Sequence, residues 1–134
     1  MNRLILIDED NLHGRLMRYI ISPLFEKISF TFIWERLDNN LFEILRKYEN
    51  AINDVFCIPL SWETNDYNEI IIKIAKRNKI FAPFDEENQY PWSLDNVEKI
   101  YTSISLDLNI GNSNITFSGT SPACALAALS EIKK

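Results

Sequence analysis

Leu4-Ile5-Leu6-Ile7 is followed at once by Asp8-Glu9-Asp10. Four consecutive apolar residues leave no polar face, so a strand here must be covered on both sides. Val55-Phe56-Cys57-Ile58, closed by Pro59, repeats the pattern. Two such runs in a short chain call for a sheet with helices on both faces, which is the α/β class. The three acids stand at the carboxyl end of the first run, where sites form in open parallel sheets.

The segments between these runs carry the covering helices. Leu12, Leu16, Met17, Ile20, Ile21 and Leu24 recur at helical spacing, with Asp10 or Asn11 available as the N-cap. Proline inside a helix costs about 3 kcal/mol, so a break is expected at Pro23, with Ser22 capping one further turn. Ile28, Phe30, Phe32 and Trp34 alternate with Ser29, Thr31 and Ile33, the period of a strand with one strongly apolar face. Asp38 or Asn39 is placed to cap a second helix carrying Leu41, Ile44, Leu45 and Tyr48. Asp66 with Glu69 reads as the capping pair of a third, which buries Tyr67, Ile70, Ile71, Ile74 and Ala75. The first 80 residues thus alternate strand and helix, with the two continuous runs inside and the alternating strand outside. That predicts the partial strand order 2-1-3.

Beyond this point the pattern changes. Ile80-Phe81-Ala82 forms a short strand, and Ser93 caps a turn through Lys99. Ile100–Ile110 alternates as one long amphipathic strand, turned at Gly111 into a hairpin with Asn114–Ser118. Ile104, Leu106 and Leu108 are expected inward, and Ser103, Ser105 and Asp107 outward. Ser121-Pro122 opens a last helix, Ser121 capping and Pro122 first in. Its small residues, including Ala123, Cys124 and Ala125, permit close packing on the sheet. The expectation is one three-layer α/β domain over residues 1–134, with a mixed sheet. Its N-terminal part is parallel β-α-β-α-β, and its C-terminal part is a β-hairpin plus helix.

The chemistry-bearing residues are few. The formal net charge of −5 disfavours nucleic-acid binding, where neutralising phosphates drives affinity. Cys57 and Cys124 read as buried free thiols, and no Cys/His cluster has metal-ligand spacing. Met1-Asn2-Arg3 leads into only four apolar residues, against about 7–15 in a signal peptide. A cytoplasmic, reduced protein with no cofactor and no membrane partner is expected. His13 is the only histidine. It reads as a surface or cap residue, with general acid/base work the alternative. Ser61, Ser118 and Ser121 show no base partner in the sequence, so a nucleophile relay is not expected.

Leu4–Asp10 resembles the opening of a bacterial response-regulator receiver domain. That family's phosphoacceptor aspartate would end the third strand, where this chain has Pro59-Leu60-Ser61. Leu6 to Leu12 also resembles the first motif of PIN-like (NYN) metal-dependent nucleases. That resemblance implies a metal held by Asp8, with Asp10 beside it, and Asn11 ordering the site. Asn114–Leu129, with Ser118-Gly119-Thr120, resembles a later glycine-containing motif of that family, without its acids.

The second candidate surface is the loop between Phe81 and Glu98. Phe84, Tyr90 and Trp92 are interleaved there with Asp85, Glu86, Glu87, Asp95 and Glu98. Aromatic anchors ringed by one sign of charge suit capture of a basic protein partner. The expected function is therefore a small acidic, non-enzymatic protein-binding module. Its most concrete form is a bacterial toxin-immunity protein that neutralises a toxin. A nuclease or receiver-like regulator using Asp8 and Asp10 is the alternative.

Overall fold

The computed structural model describes residues 3–27, 29–37, 40–59, 68–83 and 97–133. The α/β class is borne out. Five parallel strands form the main sheet in the order β2-β1-β3-β4-β5. They are β1 (Arg3–Glu9), β2 (Thr31–Leu37), β3 (Val55–Cys57), β4 (Lys79–Pro83) and β5 (Glu98–Ile100). The helices are α1 (Leu12–Lys27), α2 (Leu41–Lys47), α3 (Asn68–Ala75) and α4 (Thr120–Ile132). β6 (Ile104–Ile110) and β7 (Ser113–Gly119) pair antiparallel as a second, two-stranded sheet. The antiparallel pair thus stands apart from the parallel sheet instead of extending it as a mixed one.

The two continuous apolar runs are adjacent inner strands, with Leu4 opposite Val55 and Leu6 opposite Cys57. Their alternate residues serve two cores. Leu4, Leu6, Val55 and Cys57 pack with Leu16, Met17 and Ile21 of α1 and with Cys124, Ala125 and Ala128 of α4. Ile5, Ile7, Phe56 and Ile58 pack with Leu41 and Leu45 of α2 and with Ile70, Ile71 and Ile74 of α3. The layers are therefore α1 with α4, the sheet, then α2 with α3. Leu4, Ile5, Leu6 and Ile7 are fully buried, and each such side chain contributes about 1.5–3 kcal/mol through lost apolar exposure.

Several local expectations are corrected. Pro23 does not break α1, which runs through it to Lys27. Pro23 is exposed, and the helix is held from the other side by Leu16, Met17 and Ile21, so packing outweighs the lost backbone bond. Ser22 does not cap; its Oγ donates to the Arg18 carbonyl at 2.8 Å. The cap of α2 is Asn40, not Asp38 or Asn39, with its Oδ1 accepting from Glu43 N at 3.0 Å. Glu98-Lys99 is strand rather than turn. The expected strand Ile100–Ile110 is two strands: β5 extends the parallel sheet beside β4, and the chain then leaves it for the hairpin. Ser121 is not the cap of α4: Gly119, at φ 126°, holds that position with no side-chain cap bond. Asp66, Tyr67 and Ser93 lie outside the described residues.

The hairpin register matches the expected facing. Ile104, Leu106 and Leu108 are half-buried, while Ser105 and Asp107 are exposed. Ile110 pairs with Ser113, leaving Gly111-Asn112 as a two-residue turn. Gly111 has φ 62°, the backbone that puts glycine first in a hairpin turn.

Candidate functional site

Residue parity along β1 decides where the acids point. Leu4 and Leu6 face the α1/α4 layer, and Asp8, two residues on, shares their side of the pleat. Asp8 is 0% exposed, and a buried carboxylate needs partners. Its Oδ1 accepts from the Glu9 N–H at 2.8 Å. Its Oδ2 lies 2.7 Å from Nδ1 of His13, in the first turn of α1.

His13 reaches that carboxylate because the β1–α1 connection is tight. Asn11 caps α1, its Oδ1 accepting from Gly14 N at 3.1 Å. Gly14 allows the helix to start against the strand. A Cβ there would stand 2.0 Å from the Glu9 carbonyl oxygen and 2.9 Å from Trp34 Cζ2. Only glycine fits such an approach without displacing backbone.

The other ring nitrogen of His13 meets the far end of the chain. Nε2 lies 2.9 Å from Oγ of Ser121, in the first turn of α4. Ser121 Oγ also lies 3.4 Å from the Pro59 carbonyl, just past β3. The Phe117 ring meets the imidazole edge-on at 5.5 Å. A carboxylate only accepts hydrogen bonds, so neutral His13 carries its proton on Nδ1 and presents Nε2 as acceptor to the serine hydroxyl. Asp8, His13 and Ser121 therefore form a hydrogen-bonded relay of carboxylate, imidazole and hydroxyl, buried at the carboxylate and one-third open at the imidazole, whose side chain is 35% exposed.

The environment sets the base. The hydrogen bond that His13 donates to Asp8 raises the His13 pKa above its ordinary 6.5; burial opposes this, and the charges of Asp8 and Glu9 add to it. Cys57 and Cys124, with sulfurs 3.5 Å apart, lie beneath the relay. The bond with Cys124 and complete burial push the Cys57 thiol well above its usual range, so it stays a thiol and does not compete as nucleophile.

The sequence candidates fall out as follows. His13 and Ser121 are not the plain surface and cap residues expected, because each is bonded to the other. Ser118 is tied to Ser105 across the hairpin at 2.7 Å, and Ser61 lies outside the described residues. Asp10 does not join Asp8. It is exposed, near Arg15 at 3.6 Å and Arg36 at 3.8 Å. Among the described residues, no group of three metal-ligating side chains stands together. Asn11 is occupied as a helix cap and by its Nδ2 bond to Glu9 at 2.8 Å. Phe84, Asp85, Glu86, Glu87, Tyr90 and Trp92 lie outside the described residues.

A groove of about 580 Å³ lies elsewhere, at the amino end of β3 and β4, lined by residues that include Asp54, Asn78 and Lys79. Asp54 there binds Arg3 at 2.7 Å. Asn78 donates to Ala51 O and Ile74 O and accepts from Asp54 N. These polar groups serve the fold, and the Asp8–His13–Ser121 bonds lie at the opposite end of the sheet. Among the described residues, no helix is long and apolar enough to cross a membrane. No family model, curated protein or solved structure matches this chain.

Proposed function

We propose that the protein is a serine hydrolase acting on a carboxylic ester or amide, with Ser121 as nucleophile, His13 as general base and acid, and Asp8 as its orienting carboxylate. The observation that supports this is the continuous bonding from Asp8 Oδ2 through both nitrogens of His13 to Ser121 Oγ, at 2.7 and 2.9 Å. Such a constellation is recognised by geometry and roles, not by fold.

The chemistry follows from the groups present. His13 Nε2 takes the hydroxyl proton as Ser121 Oγ bonds to the carbonyl carbon, and the π pair moves onto the carbonyl oxygen. Ser121 lies in the first turn of the 13-residue α4, where the Thr120 and Ser121 N–H groups lack partners within the helix and Pro122 has no N–H to offer. They and the helix dipole favour a developing oxyanion. Imidazolium then protonates the leaving group as its bond to carbon breaks. Water, deprotonated by His13, cleaves the acyl ester and restores the serine. When His13 is protonated, its Nε2–H donates to Oγ, and the Ser121 proton turns to the Pro59 carbonyl.

The test is turnover of an activated p-nitrophenyl ester and a quenched peptide library. Hydrolysis that disappears in Ser121→Ala and in His13→Ala supports the reading. Rates equal to buffer, or unchanged in Ser121→Ala, reject it.

One sequence observation favours a second reading, a non-enzymatic module that captures a basic protein such as a toxin: the acids Asp85, Glu86 and Glu87 beside Tyr90 and Trp92. Binding that survives Ser121→Ala but weakens on triple neutralisation of those acids would support it.

A further inference from the structure

The relay depends on the turn between β1 and α1, which the relay itself grips only at the Glu9 N–H, through Asp8 Oδ1 at 2.8 Å. Asp8 ends β1 and His13 begins α1, so their separation is set by the backbone between them. Asn11 ties the turn from within, through Glu9 and Gly14; Trp34, on the edge strand β2, touches both ends of it from outside. Its indole Nε1–H donates to the Asp8 backbone carbonyl at 3.3 Å. Its Cζ2 occupies the space beside Gly14, where an added Cβ would be 2.9 Å away. The Arg36 guanidinium covers the indole at 4.7 Å, and the same side chain lies 3.8 Å from Asp10 within the turn. Trp34 pairs in register with Leu6, which places the indole on the relay's side of the sheet.

We infer that Trp34 is a positioning residue for the relay: its indole wedges the β1–α1 turn so that the Asp8 carboxylate and the His13 imidazole stay in hydrogen-bond contact. This rests on the hydrolase reading for its consequence but not for its geometry. A shift of about 1 Å in a reacting group costs about 100-fold in rate, so a loosened wedge is costly without unfolding the domain.

His13 is the only histidine, so its ring signals in an NMR titration are unambiguous. Among the described residues, the charged groups around it are Asp8 and Glu9 from β1, Asp10 with Arg15, and Arg36 from β2. Residues 120–122 of α4 and Phe117 of β7 bring no charge. In Trp34→Phe, the His13 midpoint is expected to fall toward 6.5, and serine labelling by a fluorophosphonate to slow about tenfold or more. Phe32→Leu, on the same face of the same strand, is expected to lower the melting temperature without moving the midpoint. In the wild type, the Trp34 indole N–H signal is expected to shift with the His13 midpoint, a readout that needs no variant to fold. An unchanged His13 midpoint in folded Trp34→Phe, or an indole signal flat across the titration, overturns the inference. A wild type that resists labelling while Trp34→Phe moves the midpoint rejects the hydrolase reading and retains the positioning role.

Discussion

Nε2 of His13 stands 2.9 Å from Oγ of Ser121 across a sequence separation of 108 residues. The contact joins the first turns of two helices that lie on the same face of a parallel sheet. It links a buried carboxylate at a strand end to a serine hydroxyl through one imidazole.

The pH dependence has a definite sign. The folded His13 pKa is raised above 6.5, first by the Asp8 hydrogen bond. Its ion pair therefore stabilises the fold fully below the unfolded value, and this contribution is lost as pH rises through the folded value. Activity runs the other way, because the base must be neutral, so kcat/KM should climb through the same midpoint. Urea unfolding at intervals from pH 5 to 9, set beside the rate profile, should give opposite trends, with the stability loss beginning near the unfolded value and complete once pH passes the rate midpoint.

Asp8→Asn keeps the shape but offers an amide where His13 Nδ1–H needs an acceptor. The preferred tautomer then puts the proton on Nε2, facing Ser121. A loss of about 10⁴ in kcat is expected, as for the equivalent change in other triads, with the domain still folded by circular dichroism. A loss below tenfold would mean that Asp8 does not set the tautomer.

Gly14→Ala should damage fold and site together, because the added methyl meets the Glu9 carbonyl oxygen at 2.0 Å. Overpacking of this kind costs about 1–3 kcal/mol. Chemical denaturation should show that loss, and the His13 titration should move with it.

Asn78→Ala separates fold from function. Asn78 is buried and holds Asp54 N, Ala51 O and Ile74 O at 2.8–2.9 Å. Removing it strands buried polar groups at about 1–3 kcal/mol for each one left unpaired. The site lies at the other end of the sheet, so stability should fall while the His13 midpoint and kcat stay as in the wild type.

The strands that organise this fold were legible because continuous apolar runs admit little else. Their burial on both faces, their adjacency and the order 2-1-3 all followed from Leu4–Ile7 and Val55–Ile58. Asp8 and His13 stood out in the sequence as flanking one short turn, but their bond was not expected, because His13 also reads as an ordinary surface or cap residue. Ser121 did not stand out, because its role depends on which face of the sheet α4 covers, and a helix of small residues carries no mark of that. Ser-Pro also imitates a cap, and only Gly119 in the cap position frees the hydroxyl. The shared parity of Leu4, Leu6 and Asp8 was a usable signal: it points Asp8 toward whichever helices cover that face. Pro23 and the stretch from Ile100 to Ile110 misled because local propensity was overridden by packing on α4 and by the edge of β4.

The most direct test of the account is covalent labelling of Ser121 by a fluorophosphonate, read by intact mass and peptide mapping. The account predicts one adduct, on Ser121, forming faster as pH rises through the His13 midpoint. Labelling should be abolished in Ser121→Ala and slowed by orders of magnitude in His13→Ala. An unlabelled folded protein, or labelling of Ser121 at the same rate without His13, would contradict it.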